Sequence, residues 1–370
     1  PATTGGTSVE ATFDARLRTR AALRGFEPYD PAFTPCRVNL SANENTHEPP
    51  EPLARAMREA MAQTPLNRYP DPMANDLRDL LAMRHGVARD NLCVGNGGDE
   101  LLFNLLFAFC GPDRALVTCP PDFSEYANFA AMCETPTRLV WRDPETFSVD
   151  ADALVEAAKG AALVILTSPN NPTGDLLDPR VVRRVLDETD AMVLVDEAYV
   201  EFAGEGASLV GWVADNPRLM VLRTLSKAFG LAGLRCGYLV ADPSVIGVLA
   251  AVRQIYSEDV LAQAVARVAV ERRDELAATV AEIVSERERL ATGLAGIDGV
   301  RVWPSAANFV LARVPDAARV RRRLRDDFSI LVRDFSSAPG LAGCLRISVG
   351  TREENDTLLD ALATILREEA

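Results

Sequence analysis

The feature that most restricts this chain's fold is a rhythm between residues 92 and 240. Short apolar runs at 92–94, 115–118, 163–167, 192–195, 219–222 and 238–240 alternate with stretches of helical periodicity. Runs that are apolar along their whole length fit strands buried on both faces, and strands separated by helices join as parallel neighbours. The segment therefore predicts an α/β fold with a doubly covered, mostly parallel sheet. One intervening helix is signalled at 178–188, with Asp178 placed to cap it and Pro179 at its first helical position. Earlier helices fit 50–62 and 74–85, the second closed by Gly86.

After about residue 260 the rhythm changes. A long charged helical stretch runs to about residue 294, followed by short strands at 300–303, 309–313, 330–333 and 344–349. A last helix opens with Thr351-Arg352-Glu353-Glu354, a capping-box pattern. This predicts a smaller α+β domain. The chain divides into an N-terminal arm at 1–45, a large α/β domain at 46–258 and a small domain at 259–370, with the N-terminal segment packing on the small one.

Composition narrows the function. With 39 basic against 53 acidic side chains the net charge is −14, which argues against nucleic acid as a partner. No run approaches the roughly 20 apolar residues of a membrane span. The first ten residues are polar and lack the basic and apolar regions of a secretory signal, so a cytoplasmic protein is expected. Seven cysteines without a CxxC pair, and only two histidines, predict reduced thiols and no metal site. Acid–base chemistry at neutral pH must then come from a lysine, a tyrosine or a cofactor.

Four segments carry candidate chemistry, each at the end of a predicted strand, where ligands bind in open α/β sheets. Gly95-Asn96-Gly97-Gly98-Asp99-Glu100 precedes a helix. It is either a phosphate-binding turn or a turn that simply needs glycine. Ser168-Pro169-Asn170-Asn171-Pro172-Thr173-Gly174 is a rigid polar loop of a functional kind. In Val195-Asp196-Glu197-Ala198-Tyr199, Asp196 ends a buried run, so it is either a helix cap or a carboxylate awaiting a positive partner. Thr224-Leu225-Ser226-Lys227-Ala228-Phe229-Gly230 sets a lysine among apolar residues and hydroxyls, a candidate nucleophilic amine.

Taken in order, Asn170-Asn171-Pro172-Thr173-Gly174, Val195 to Tyr199, and Ser226 to Tyr238 resemble the fold-type I pyridoxal-phosphate (PLP) enzymes. Within them the chain is similar to the histidinol-phosphate aminotransferases. Leu40-Ser41-Ala42-Asn43-Glu44-Asn45, Arg68-Tyr69-Pro70-Asp71-Pro72 and Cys344-Leu345-Arg346 match as well.

The resemblance implies a large mostly parallel-sheet domain, a smaller α+β domain and PLP as cofactor. Lys227 would carry PLP and move the proton. Asp196 would pair with the pyridine nitrogen, and Asn171 and Tyr199 with the ring oxygen. The phosphate would rest on the amides of Gly98 and Asp99, the hydroxyls of Thr224 and Ser226, and Arg235. Tyr126 would stack on the ring. Tyr69 would reach the phosphate of a neighbouring subunit, which implies a homodimer with shared sites. Arg346 would bind a substrate anion, with Arg333 and Tyr29 as further candidates at the substrate phosphate.

Phe123 stands where the family has tyrosine, and His47 is read as a solvated loop residue. Histidinol phosphate with 2-oxoglutarate is the expected substrate pair. Threonine-phosphate decarboxylases and aromatic aminotransferases are the rivals within the fold, and a non-catalytic PLP-binding effector module is the rival outside it.

Overall fold

The computed structural model of the protein describes residues 14–26 and 34–368. Its strands are β1 (Val38–Leu40), β2 (Leu92–Asn96), β3 (Leu116–Thr118), β4 (Thr137–Leu139), β5 (Leu163–Thr167) and β6 (Met192–Asp196). They continue with β7 (Leu219–Thr224), β8 (Cys236–Val240), β9 (Arg301–Val302), β10 (Phe309–Arg313), β11 (Ile330–Asp334) and β12 (Cys344–Ser348).

Seven strands make one sheet in the order β2-β8-β7-β6-β5-β3-β4. All neighbours are parallel except β8, which runs against both β7 and β2. Successive side chains on a strand point to opposite faces, so an all-apolar strand feeds two cores. Val164 and Leu166 of β5 enter one, Leu163 and Ile165 the other. Val193 and Val195 of β6 face the first, Leu194 the second. That double burial is why these strands read as unbroken apolar runs. Each such Leu, Ile or Val contributes about 1.5–3 kcal/mol of burial.

The second sheet has the order β1-β11-β12-β10-β9, with β1 parallel to β11 and β12 antiparallel to both its neighbours. Leu345 and Ile347 enter its core beneath the helices Ala277–Ala295, Ala317–Phe328 and Arg352–Arg367. Alternation leaves Arg346 and Ser348 on the opposite face. The last helix is capped as its sequence predicts: the Thr351 hydroxyl accepts from the Glu354 amide at 3.3 Å, and Glu354 accepts from the Thr351 amide at 2.8 Å.

Two expectations change. The arm does not extend to residue 45, because β1 is already a strand of the second sheet and the chain from Thr34 onward clusters as one unit. The long helix is two, Val260–Glu271 and Ala277–Ala295, joined by a 3-10 turn at Arg273–Leu276. The first buries Val265, Ala266 and Ala269 in the seven-stranded sheet's core, the second buries Ile283, Leu290 and Leu294 in the other. Leu276 still belongs to the first core, so the change of core along the chain comes after it. Among the described residues no helix is long and apolar enough to cross a membrane.

Candidate active site

The carboxyl ends of β5, β6 and β7 lie side by side, with Thr167 beside Asp196 and Asp196 beside Leu222. The loops that follow them open on one edge of the sheet. β8, antiparallel to both flanking strands, pairs Gly237 with Thr224 on one side and with Gly95 on the other. This brings the glycine turn to the same edge, at very close range. A Cβ on Gly237 would stand 2.8 Å from the Gly97 carbonyl carbon and the Gly98 nitrogen. Gly97 has φ +78°, and a Cβ there would meet the Arg235 Nη2 at 2.6 Å, so the guanidinium lies across the turn.

Arg235 donates to the Asp99 carboxylate at 2.9 Å and to the Ala232 carbonyl at 3.1 Å. The Thr224 hydroxyl donates to Ser226 Oγ at 2.9 Å and accepts the Ser226 amide at 3.0 Å. The helix Gly97–Phe109 has no side-chain cap at its N-terminus. Amides, two hydroxyls and a guanidinium thus converge on one point, which is the chemistry of an anion site.

Asp196 is 6% exposed. Its Oδ1 accepts from the Ala198 amide at 3.0 Å and its Oδ2 from the Tyr126 hydroxyl at 2.7 Å. The cap reading is therefore correct in part, but both donors are neutral, and no ion pair reaches Asp196 among the described residues. Burial pushes its pKa up to about 6, against the two hydrogen bonds that lower it. It remains mostly ionised at neutral pH.

The Lys227 amine sits 5.8 Å from the centroid of the Tyr199 ring and donates to the Ala42 carbonyl at 3.2 Å. Burial, then the positive charge of Arg346, pulls its pKa down to about 8. The Tyr199 hydroxyl accepts from Asn43 Nδ2 at 3.0 Å, and the Asn43 amide donates to Ser348 Oγ at 2.8 Å. Burial raises the pKa of Tyr199, with Arg346 opposing.

Arg346, on β12, is 7% exposed and donates to Asn171 Oδ1 at 2.5 Å and to the Ser41 carbonyl at 2.6 Å. Arg333 stands directly opposite it in the β11–β12 register, so both side chains share one face.

Arg346 meets Asn171, the Lys227 amine lies over the Tyr199 ring, and Asp196 stands beside Thr167 at the same strand ends. Arg235 lies across the Gly97–Gly98 turn and holds Asp99. Gly237, the register partner of Thr224, approaches that turn, while Thr224 holds Ser226. Tyr69 is different: its ring stacks on Tyr256 at 4.6 Å and 14°, and it is 81% exposed. Tyr29 lies outside the described residues.

Two expectations are corrected. Tyr126 is 1% exposed with its hydroxyl turned onto Asp196 and Thr167, so it positions the carboxylate rather than offering a free ring face. The partly exposed aromatic of that loop is Phe123, edge to face with Tyr126 at 5.6 Å. His47 is not solvated: its side chain is 12% exposed and its Nδ1 lies 3.8 Å from Glu282.

The sequence reading missed the roles of Asn43, Thr167 and the Ser41 and Ala42 carbonyls. The signal is present for three of them, since Leu40-Ser41-Ala42-Asn43-Glu44-Asn45 matches the family without pointing to a particular chemistry.

The family signature "Aminotransferase class I and II" matches residues 37–362. A histidinol-phosphate aminotransferase of Thermoanaerobacter sp. (strain X514) is 38% identical over 350 residues, covering 94% of this chain and 98% of that protein. One of Roseiflexus castenholzii is 41% identical over 337 residues, covering 89% of each. The crystal structure of histidinol-phosphate aminotransferase from Sinorhizobium meliloti in complex with pyridoxal-5'-phosphate superposes with a TM-score of 0.86 at 27% identity, over 95% of this chain and 98% of that one.

Proposed function

This chain belongs to the aminotransferase class I and II family, and we propose that it transfers the amine of histidinol phosphate to 2-oxoglutarate, giving imidazole acetol phosphate and glutamate with PLP as cofactor. The observation that carries the reading is the pairing of a buried carboxylate lacking a cation, Asp196, with a partly buried amine of lowered pKa, Lys227, near an uncapped helix N-terminus.

The residues fit PLP. A protonated ring nitrogen answers the burial cost of Asp196, which neutral donors only partly offset. The nest of Gly98, Asp99, Thr224, Ser226 and Arg235 suits a phosphate monoester. Asn171 and Tyr199 present polar groups for the ring oxygen, and Phe123 an aromatic ring. When bound, PLP supplies an electron sink that stabilises charge on the carbon bearing the amine.

The chain's own groups do the rest. With a pKa of about 8, the Lys227 Nζ is substantially neutral near pH 8. It would take the proton released from the amine-bearing carbon and deliver it to the cofactor carbon that faces it, rather than back to the substrate. Asp196 stays ionised and holds positive charge on its partner nitrogen. Tyr126 and the Ala198 amide fix the direction of that carboxylate. Arg346, with Arg333 opposite, holds the substrate anion: the phosphate of histidinol phosphate in one half-reaction, a carboxylate of 2-oxoglutarate in the other.

The active species is a homodimer in which Tyr69 completes the phosphate site of the partner subunit. Its exposure, beside Leu66 and Ile255 at 72% and 81%, supports a face that a second copy covers. Seven free thiols support a reducing, cytoplasmic setting.

A half-reaction screen tests the assignment. Histidinol phosphate should convert the PLP enzyme to its pyridoxamine-phosphate form, and 2-oxoglutarate should restore it. Carbon dioxide release from threonine phosphate without a keto acid would make the chain a decarboxylase. Failure of histidinol phosphate with rapid conversion by phenylalanine or tyrosine would make it an aromatic aminotransferase.

A further inference from the structure

Arg346 lies on β12, between β11 and β10 in the second sheet. On one side its register partner is Leu311 of β10, and two residues before Leu311 on the same face is Phe309. On the other side its partner is Arg333 of β11, and two residues beyond is Phe335, whose amide extends the ladder by donating to the Cys344 carbonyl at 3.0 Å. Diagonal neighbours across strands are within reach of long side chains. Both rings close on the guanidinium: its carbon lies 5.5 Å from the Phe309 centroid and 5.5 Å from the Phe335 centroid.

We propose that Phe335 is a positioning residue for substrate-anion binding: together with Phe309 it forms a two-ring clamp that fixes the plane of the Arg346 fork and shields its faces from water. The inference rests on the reading of Arg346 as the group that binds the substrate anion.

A planar fork binds two oxygens only if its plane is held, and an aromatic face holds it through the ring quadrupole. The in-plane edge is held by Asn171 and the Ser41 carbonyl. Those two contacts leave rotation out of plane to be stopped, and the rings are placed to do so. A shielded guanidinium also attracts an anion more strongly than a hydrated one. Phe309 is fully buried and carries the Tyr199 ring edge to face at 5.1 Å, so it serves two site residues at once. Phe335 is only half-buried, which makes it the safer position to change.

The test is equilibrium binding of maleate, a non-reacting dicarboxylate, to the PLP-loaded enzyme by calorimetry, alongside KM and kcat for 2-oxoglutarate. Phe335→Ala should raise the maleate Kd roughly 3- to 30-fold. KM should rise with it while kcat changes little, the mark of lost uniform binding. Phe335→Leu should behave like Phe335→Ala, and Phe335→Tyr should restore the wild-type Kd. Wild-type binding in Phe335→Leu would show that apolar bulk suffices and overturn the clamp. Arg346→Lys is run in parallel. If it leaves the maleate Kd unchanged, the anion reading of Arg346 falls and the clamp with it. If it weakens binding while Phe335→Ala does not, the clamp alone is overturned.

Discussion

A single carboxylate shows how burial turns into chemistry. Asp196 is almost fully buried, and its two hydrogen bonds come from neutral donors. Asp196→Asn keeps the size and removes the charge. It should leave folding and most PLP content intact while slowing proton abstraction by about 10²-fold or more, since the ring nitrogen loses its counter-charge. Near-normal turnover in a PLP-loaded variant would reduce Asp196 to a cap. Lys227 is tested by reduction: borohydride should fix the cofactor on the peptide that carries Lys227, and trapping on another lysine would refute the mechanism. Both residues were legible in the sequence because each breaks a local rule, a charge ending an apolar strand and a lysine among apolar neighbours. Asn43 was legible only as part of a segment that matches the family, without a role, and Phe335 was not legible at all. Asn43 meets Ser348 across 305 positions of chain, and Phe335 acquires its partner only through strand register. Neither looks unusual in its own segment.

At the scale of elements, the decisive contact is the crossing of β8 over the glycine turn. The two glycines there fail differently when changed. Gly237→Ala drives a methyl into backbone, the Gly97 carbonyl carbon and Gly98 nitrogen, neither of which has a side-chain torsion to relieve it. A loss of about 1–3 kcal/mol of stability is expected, read as a lower melting temperature even without PLP. Gly97→Ala instead meets the end of the flexible Arg235 side chain. It displaces the guanidinium from the turn and strains a positive φ, so PLP affinity should fall by a larger factor than the melting temperature suggests. Equal losses in both variants would mean that Arg235 does not serve the phosphate site. Capping and strand rhythm were visible in the sequence because they are local. The break between Val260–Glu271 and Ala277–Ala295 was not, because no Gly or Pro marks it. What divides the helices is the pair of cores their apolar stripes enter.

At the scale of the molecule, one buried acid should shape stability and one exposed ring should shape assembly. Glu258 is 1% exposed, beside Asp259 and Glu100, and burial pushes its pKa up to about 8 from an ordinary 4.5. Between those values the folded chain holds a proton that the unfolded chain has released, so stability falls as pH rises through the window. Glu258→Gln removes this dependence. Its melting temperature relative to wild type should therefore be higher at pH 8.5 than at pH 6.0, and the Asp196 titration, common to both proteins, cancels in that difference. An unchanged difference would show that Glu258 does not gain its proton on folding. Assembly is tested through Tyr69. If each site takes Lys227 from one chain and Tyr69 from the other, a heterodimer of Lys227→Ala and Tyr69→Phe chains contains one site with both substitutions and one with neither. Random re-pairing of equal amounts makes about half of the dimers heterodimers, so about a quarter of wild-type activity should return from two impaired parents. If Tyr69 served the site of its own chain, each heterodimer would hold one singly substituted site of each kind, and mixing would restore nothing. The stacking of Tyr69 on Tyr256 adds a control: Tyr256→Ala should weaken PLP retention in the same direction as Tyr69→Phe, because it leaves the exposed ring without the surface that orients it.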